Sequence, residues 1–469
     1  MSTVTVESLA PAAPPLDLDG AQRTHDLDRA HVFHSWSAQG ALDPMVITGA
    51  QGSWIWDGSG RPLLDFSSQL VNTNIGHQHP AVVRGIQEQA AKICTVAPQH
   101  ANAARSEAAR LIVERAPGDD LNHVFFTNGG AEAIENAVRM ARLHTGRRKV
   151  LTRYRSYHGH TQAAIHMTGD PRRWPNDTGA EGVVHFFGPY TYRSAFHAST
   201  DDEECARALE HLEAVVQMEG PATIAAIVLE TIPGTAGIMV PPPGYLAGVR
   251  EICDRYGILW IADEVMAGFG RSGAWFSVEH FQATGGGTLA PDLITFAKGV
   301  NSGYVPLGGV LINGPVYETF RERPYPGGLT YSGHPLACAA AVATITAMTD
   351  EGIIENAARI GAEVIGPRLA ELQGKHEVIG EVRGLGVFWA LELVKDRATR
   401  EPLVPYNASG AAAAPMNALV GACKKRGLLP FVNMNRLHVV PPCTVTEGEA
   451  RLGLDLLDDA LTEVVSTLS

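Results

Sequence analysis

The chain has 469 residues, 45% hydrophobic and 19% charged, an ordinary globular composition with length for two or more domains. A formal net charge of −13 with no clustered basic run excludes the electrostatic footprint of a nucleic-acid binder or an anionic-membrane binder. The six cysteines (Cys94, Cys205, Cys253, Cys338, Cys423 and Cys443) lack C-x-x-C spacing, which indicates neither a zinc cage nor a disulfide framework and suits a reducing, cytoplasmic setting.

Met1 to Gly20 is rich in Pro, Ala, Ser and acids and lacks the basic and apolar regions of a signal peptide. It reads as the start of a disordered or arm-like tail covering residues 1–29. Residues 30–89 and 345–469 are expected to form one smaller α+β domain from both chain ends, around a large domain at 90–344. In that large domain, short apolar runs alternate with helical patterns: His123 to Phe126, Lys149 to Thr152, Ile224 to Leu229, Ile258 to Ala262 and Leu293 to Ala297. This alternation predicts an α/β fold with a mostly parallel sheet. Ala337 to Met348, the longest apolar stretch, is too short to span a bilayer and contains threonines, so it is expected to be a core helix. Gly384 to Leu393 reads as a glycine-punctuated strand, and Ala408 to Pro415 as a loop or linker.

Polar residues fall just after the apolar runs: Asn128-Gly129-Gly130, Tyr157-His158-Gly159, Glu230, Asp263 and Lys298. In an open parallel sheet ligands bind outside the carboxyl ends of the strands, so these segments are expected to converge on one crevice. Gly129 and Gly130 precede a helical pattern that is acidic early and basic late. They are read either as a single-phosphate site of free backbone N–H groups or as a simple glycine turn. Asp263 follows an apolar strand, where an ionised carboxylate requires a partner, and a protonated ring nitrogen would supply one. Lys298 is the only lysine between Lys149 and Lys375. It is read either as an amine kept for Schiff-base chemistry or as an ordinary lysine past a strand end. The pairs His77-x-His79 and His158-x-His160 are not completed by carboxylates or cysteines, so no metal site is expected.

Together these segments resemble the class III aminotransferases, pyridoxal 5'-phosphate (PLP) enzymes of fold type I. The resemblance extends through Thr330-Tyr331-Ser332-Gly333-His334-Pro335 and Arg383-Gly384-x-Gly386. It implies that Lys298 forms the Schiff base with PLP and shuttles the proton, and that Asp263 holds the pyridinium. Tyr157 would stack on the ring opposite Val265, beside His158, while Gly129, Gly130 and Ala131 take the phosphate. Thr330 would reach the phosphate of a partner subunit, implying a homodimer with interfacial sites, a tetramer remaining open. Glu230 and Arg383 match a carboxylate and arginine that can pair when a substrate lacks an acid at its other end. Arg436 lies where pyruvate-using relatives supply a mobile arginine, in a different local register, and structural pairing is the alternative for Arg383. Leu70 and Val71 are candidates for the substrate-pocket wall or for plain packing.

Met266 after Val265, and Thr231-Ile232-Pro233 after Glu230, stand where ornithine and 4-aminobutyrate users carry glutamines. The resemblance is therefore to the branch using amines, β-alanine or taurine with pyruvate. The implied activity moves an amino group from an ω-amino acid or primary amine to pyruvate or a similar keto acid. An aminomutase or decarboxylase on the same fold, or a noncatalytic PLP-binding regulator, are the alternatives.

Overall fold

The computed structural model describes residues 5–179 and 182–468. Its centre is a seven-stranded sheet with the spatial order Leu121–Thr127, Gly308–Asn313, Leu293–Phe296, Leu259–Asp263, Ile224–Glu230, Lys149–Arg153 and Val183–Phe186. Every pairing is parallel except the two made by Gly308–Asn313, which runs antiparallel to both neighbours. Five of these strands are the apolar runs read from the sequence. Val183–Phe186 and Gly308–Asn313 are additional.

Ile224–Glu230, Leu259–Asp263 and Leu293–Phe296 are buried at every position. Strands covered by helices on both faces require such continuous apolar runs, and each large aliphatic side chain so buried contributes about 1.5–3 kcal/mol. The register then decides what meets at the strand ends. Glu230 aligns with Asp263, and Asp263 aligns with Thr295, three residues before Lys298.

Helix Gly130–Thr145 buries Ala133, Ile134, Ala137, Val138 and Ala141 against the sheet and stops at Gly146, whose φ of 70° supplies the left-handed cap. Helix Pro335–Asp350 holds the apolar stretch and packs on Pro80–Lys92 and Ala103–Val113. Among the described residues no single helix is long and apolar enough to cross a membrane, and no group of three or more His, Cys, Asp or Glu is arranged to hold a metal ion.

The two chain ends meet in a four-stranded sheet of Ile47–Gln51, Trp54–Asp57, Pro62–Asp65 and Leu428–Leu429, the last parallel to the third. A second sheet joins Ile379–Leu385, Phe388–Asp396, Arg436–Val439 and Phe431–Asn433. Arg271, fully buried, ties these parts together. It donates to the carbonyls of Val387 and Pro441, to Ser68 Oγ at 3.1 Å and to Asn74 Oδ1 at 2.8 Å.

Two expectations change, and for the tail the arm is the better of the two alternatives. The stretch 384–393 is not one strand, because Gly386 at φ 55° turns a hairpin in which Leu385 pairs with Phe388. The alanine patch 408–415 is no plain loop. Ala414–Lys425 is helical and begins inside it, Ala being the best helix former and Pro415 tolerated in the first turn. The tail carries helices Val6–Leu9 and Leu18–His31, the latter capped by Asp17, so from residue 5 it is an ordered arm; Met1 to Val4 lie outside the described residues.

Candidate active site

A cavity of about 410 Å³ opens at the carboxyl ends of the parallel strands. Its lining includes Gly129, Gly130, Ala131, Tyr157, His158, Glu230, Asp263, Val265, Lys298 and Leu70. Ten of the fourteen residues singled out from the sequence thus share one wall. A larger cleft of about 710 Å³, lined by Tyr190, Glu381 and Arg383, includes neither Lys298 nor Asp263.

Asp263 is 4% exposed and both its oxygens are engaged. Oδ1 accepts from the Val265 amide at 3.0 Å, which fixes Val265 beside the carboxylate, and Oδ2 lies 2.7 Å from His158 Nδ1. His158 Nε2 sits 3.2 Å from Thr152 Oγ1, so the imidazole is gripped at both nitrogens. Burial alone would depress the imidazole, but the bond and charge of Asp263 overcome it and raise its pKa.

Glu230 is buried between two backbone donors. Tyr157 N–H donates at 2.8 Å and Gly234 N–H at 2.9 Å. Burial, aided by the nearby Asp263 charge, raises its pKa while His158 opposes. Glu230 does not pair with Arg383. That guanidinium belongs to another cluster, donating to Glu381, to Glu392 at 3.0 Å and to the Gly237 carbonyl at 2.6 Å. The expected exchange partner therefore has a structural pairing here, for a reason sequence spacing could not reveal: strand Phe388–Asp396 turns back beside Ile379–Leu385 and brings Glu392 to it.

Lys298 opens a short turn, Lys298–Val300, with φ 45°, a conformation unfavourable for a residue with a side chain. The neighbouring Gly299 packs closely on Asn74, whose Nδ2 would lie 2.4 Å from a Cβ there. Burial lowers the Lys298 pKa, outweighing the attraction of Asp263 and Glu230. Among the described residues its amine has no hydrogen-bond or ion-pair partner. Tyr157 faces the cavity and carries Arg172 on its ring, the guanidinium carbon 3.6 Å from the centroid. Arg172 is itself paired with Asp170. Neither residue stood out in the sequence, where two adjacent arginines after Asp-Pro form no motif.

The glycine turn enters helix Gly130–Thr145 with no side-chain cap, leaving its first N–H groups available to an anion. A Cβ on Gly129 would meet nothing within 4 Å, whereas one on Gly130 would come 2.8 Å from Val265 Cγ1. An open cradle, a buried carboxylate backed by histidine and an unpaired, half-buried amine suit the phosphate, ring nitrogen and carbonyl of PLP respectively. The residues present fit that group.

Val71, Thr330 and Arg436 lie elsewhere. Val71 is 1% exposed with φ 56° and packs in a cluster with Ile232, Ala267 and Phe388, while Leu70, 51% exposed, lines the cavity. The distorted backbone at Gln69 and Leu70 breaks the alternation a sequence reading assumes. Thr330 is exposed and outside the cavity of its own chain. Arg436 is buried on Arg436–Val439, donating to the Asn433 carbonyl at 3.2 Å and to its Oδ1 at 2.8 Å. The cavity is completed by residues sequence reading did not nominate, among them Trp36, Asn72, Met266 and Asn301.

A family model described as "Aminotransferase class-III" matches residues 36–461. The chain is 33% identical over 470 residues to the hypotaurine/taurine–pyruvate aminotransferase of Paracoccus denitrificans, covering 96% of this chain and 99% of that protein. It is 36% identical over 389 residues to the putrescine–pyruvate aminotransferase of Pseudomonas aeruginosa, covering 81% and 83%. The crystal structure of taurine:2-oxoglutarate aminotransferase from Bifidobacterium kashiwanohense, in complex with PLP and glutamate, matches with a TM-score of 0.91 and 39% identity, over 96% of this chain and 99% of that one.

Proposed function

The chain belongs to the class III aminotransferases, PLP-dependent enzymes that move an amino group from an amine to a keto acid, and we propose the residues that do so here and the substrates it prefers. The observation that carries the reading is the meeting of Lys298, Asp263 and the Gly129-Gly130 turn around one cavity.

When bound, PLP supplies a carbonyl for the incoming amine and a protonated ring that withdraws electrons from the reacting carbon. Gly130 and Ala131 amides would hold the phosphate at the helix N-terminus, assisted by its dipole. Asp263 would hold the ring proton, and the His158–Asp263 bond keeps that carboxylate oriented. Val265 and Tyr157, both lining the cavity, would flank the ring. Lys298, its amine brought toward neutrality by burial, would move the proton between the amine-bearing carbon of the substrate and the cofactor, in one direction with the donor and in the other with the acceptor. Glu230 faces the cavity with both oxygens bonded to amides, which holds its carboxyl group in one orientation on the donor side.

The donor is a primary amine or ω-amino acid, and the acceptor is pyruvate or a similar keto acid. Taurine and putrescine in the names of relatives, and Met266 in place of glutamine, support this choice. The active unit is a homodimer in the cytoplasm, with Thr330 completing the partner's phosphate site; its exposure outside its own cavity supports that reading. A panel of amines against pyruvate, 2-oxoglutarate and glyoxylate, followed by the absorbance of the bound cofactor, tests the proposal. Bleaching by at least one amine and recovery with a keto acid is the expected result, and no spectral change with any amine would overturn it.

A further inference from the structure

The loop that follows Glu230 acts on the cavity through a residue outside its lining. Gly234 is buried, and both of its backbone polar groups are engaged. Its N–H donates to Glu230 Oε2 at 2.9 Å, and its carbonyl accepts from the amides of Gly237 at 2.9 Å and Ile238 at 3.0 Å, with His438 Nε2 at 3.3 Å. A backbone tied down at both groups has little room to shift.

A Cβ on Gly234 would lie 2.1 Å from Met266 Sδ, 3.1 Å from Met266 Cγ and 3.0 Å from Phe388 Cζ. The backbone itself does not demand a glycine here. Gly237, three residues on, has a φ of 119°, whereas Gly234 is not among the residues with positive φ. What requires the missing side chain at 234 is therefore the thioether opposite it.

Met266 stands between the cavity and the interior. It lines the cavity together with Lys298, Asp263 and Glu230, and its other side packs on Val71, Ile232, Ile238, Ala267 and Phe388. Each of those five is at most 1% exposed, so a close-packed interior offers the sulfur no second place. The Met266 backbone is also held, since it follows Val265, whose amide is bonded to Asp263 Oδ1 at 3.0 Å. Only the side chain can move, and only the cavity is open to it. An unbranched methionine with three rotatable bonds makes that movement easily. Ordinary contact begins at about 3.5 Å, so a methyl group at 234 would drive the sulfur about 1.5 Å into a cavity of about 410 Å³ that has cofactor and substrate to hold.

We propose that Gly234 is a positioning residue for Met266 and that the pair sets the chain length of the amine donor. The bare Cα lets the thioether lie withdrawn from the Glu230 side of the cavity, which admits longer donors, and a side chain at 234 turns Met266 into a stop for them. This rests on the aminotransferase reading of the cavity. It assigns length selection to a residue that touches neither cofactor nor substrate.

The test uses the holoenzyme in four forms: native, Gly234→Ala, Met266→Ala and the double variant. In the first half-reaction, followed by cofactor absorbance, kcat/KM is measured for n-heptylamine and n-propylamine, which differ only in chain length. The heptylamine to propylamine ratio is expected to fall at least about tenfold in Gly234→Ala. It is expected to return to the native value or above in the double variant, where the methyl group meets no sulfur and Phe388 need give only a few tenths of an ångström. A ratio unchanged in Gly234→Ala overturns the proposal, as does a fall that persists in the double variant. Should Gly234→Ala fail to fold, the double variant decides: folding with a native or higher ratio supports the clash with Met266, and misfolding there overturns it. A second readout does not depend on turnover. With methyl-labelled methionine, the Met266 methyl resonance, identified by its absence in Met266→Ala, is expected to move in Gly234→Ala while the other methionine resonances hold; an unmoved resonance overturns the proposal. If no amine reacts, the aminotransferase reading fails, and the Met266 resonance still decides whether Gly234 sets the place of that side chain.

Discussion

Replacing Gly129 and Gly130 separately with alanine distinguishes a phosphate cradle from a simple turn. At Gly129 the added Cβ meets no protein atom within 4 Å, and the backbone there is extended, so the apoprotein has room for it. The weaker N-cap that alanine makes and its lower unfolded-state entropy are effects of opposite sign, each about 0.5–1 kcal/mol, and they largely offset. At Gly130 the Cβ falls 2.8 Å from Val265 Cγ1 and 3.0 Å from Cγ2, well inside ordinary contact. Val265 is pinned through its amide to Asp263 and has little freedom to retreat. Overpacking of this kind costs about 1–3 kcal/mol, and if that strain is expressed on the ring side it weakens PLP about 5–150-fold. Gly129→Ala instead crowds the open space of the cradle itself. Losing one charge-assisted bond to the phosphate, about 1.5–3 kcal/mol, weakens PLP roughly 10–150-fold with little effect on apoprotein melting. The assay is titration of each apoprotein with PLP beside thermal melting without it. Wild-type dissociation constants in both variants would refute the assignment of this turn to the cofactor.

Three other outcomes follow from the same geometry. Lys298→Ala should leave a folded protein that binds PLP noncovalently, with turnover reduced at least about 10³-fold through loss of a positioned base; full turnover by steady-state assay would be incompatible with the role given to Lys298. Arg383→Gln should lower unfolding free energy by about 3 kcal/mol in denaturant melts, since it leaves Glu381 without its ion pair while Glu392 keeps Arg193 and Asn435, and KM for a neutral amine moves little; a large KM effect with native stability would return Arg383 to the substrate. Burial raises Glu264 to about 7 from an ordinary 4.5, despite bonds from Ser277 and Val278. Its folded pKa being the higher, the stability it contributes is complete below pH 4.5 and is lost as pH rises through 7, on the order of 3 kcal/mol. Melting temperature should therefore fall from pH 5 to pH 8, and Glu264→Gln should flatten that decline; an unchanged slope would exclude Glu264 as its source.

Residues at the ends of central parallel strands were the legible part. Ile224–Glu230, Leu259–Asp263 and Leu293–Phe296 announce themselves because both faces are buried, and the first polar residue beyond each lands at the crevice whatever the intervening helices do. Val183–Phe186 and Gly308–Asn313 escaped notice, the first being a short edge strand and the second opening on two glycines. Substrate-side residues were harder because their positions depend on pairings between distant segments. Glu392 reaches Arg383 only through the hairpin at Gly386. Leu70 and Val71 face opposite ways from a regular element for the same local reason, a broken turn at Gln69 and Leu70.

The parallel pairing of Pro62–Asp65 with Leu428–Leu429 also sets the order in which the molecule can assemble during synthesis. Leu64 aligns with Leu428, a partner that leaves the ribosome about 360 residues later, a delay of roughly 20–70 s at about 5–20 residues per second. Until then the early strands present an open edge, and Arg271, whose acceptors include the Val387 and Pro441 carbonyls, has no complete set of partners. Nascent chains halted before residue 428 therefore keep that edge open to pairing with other chains.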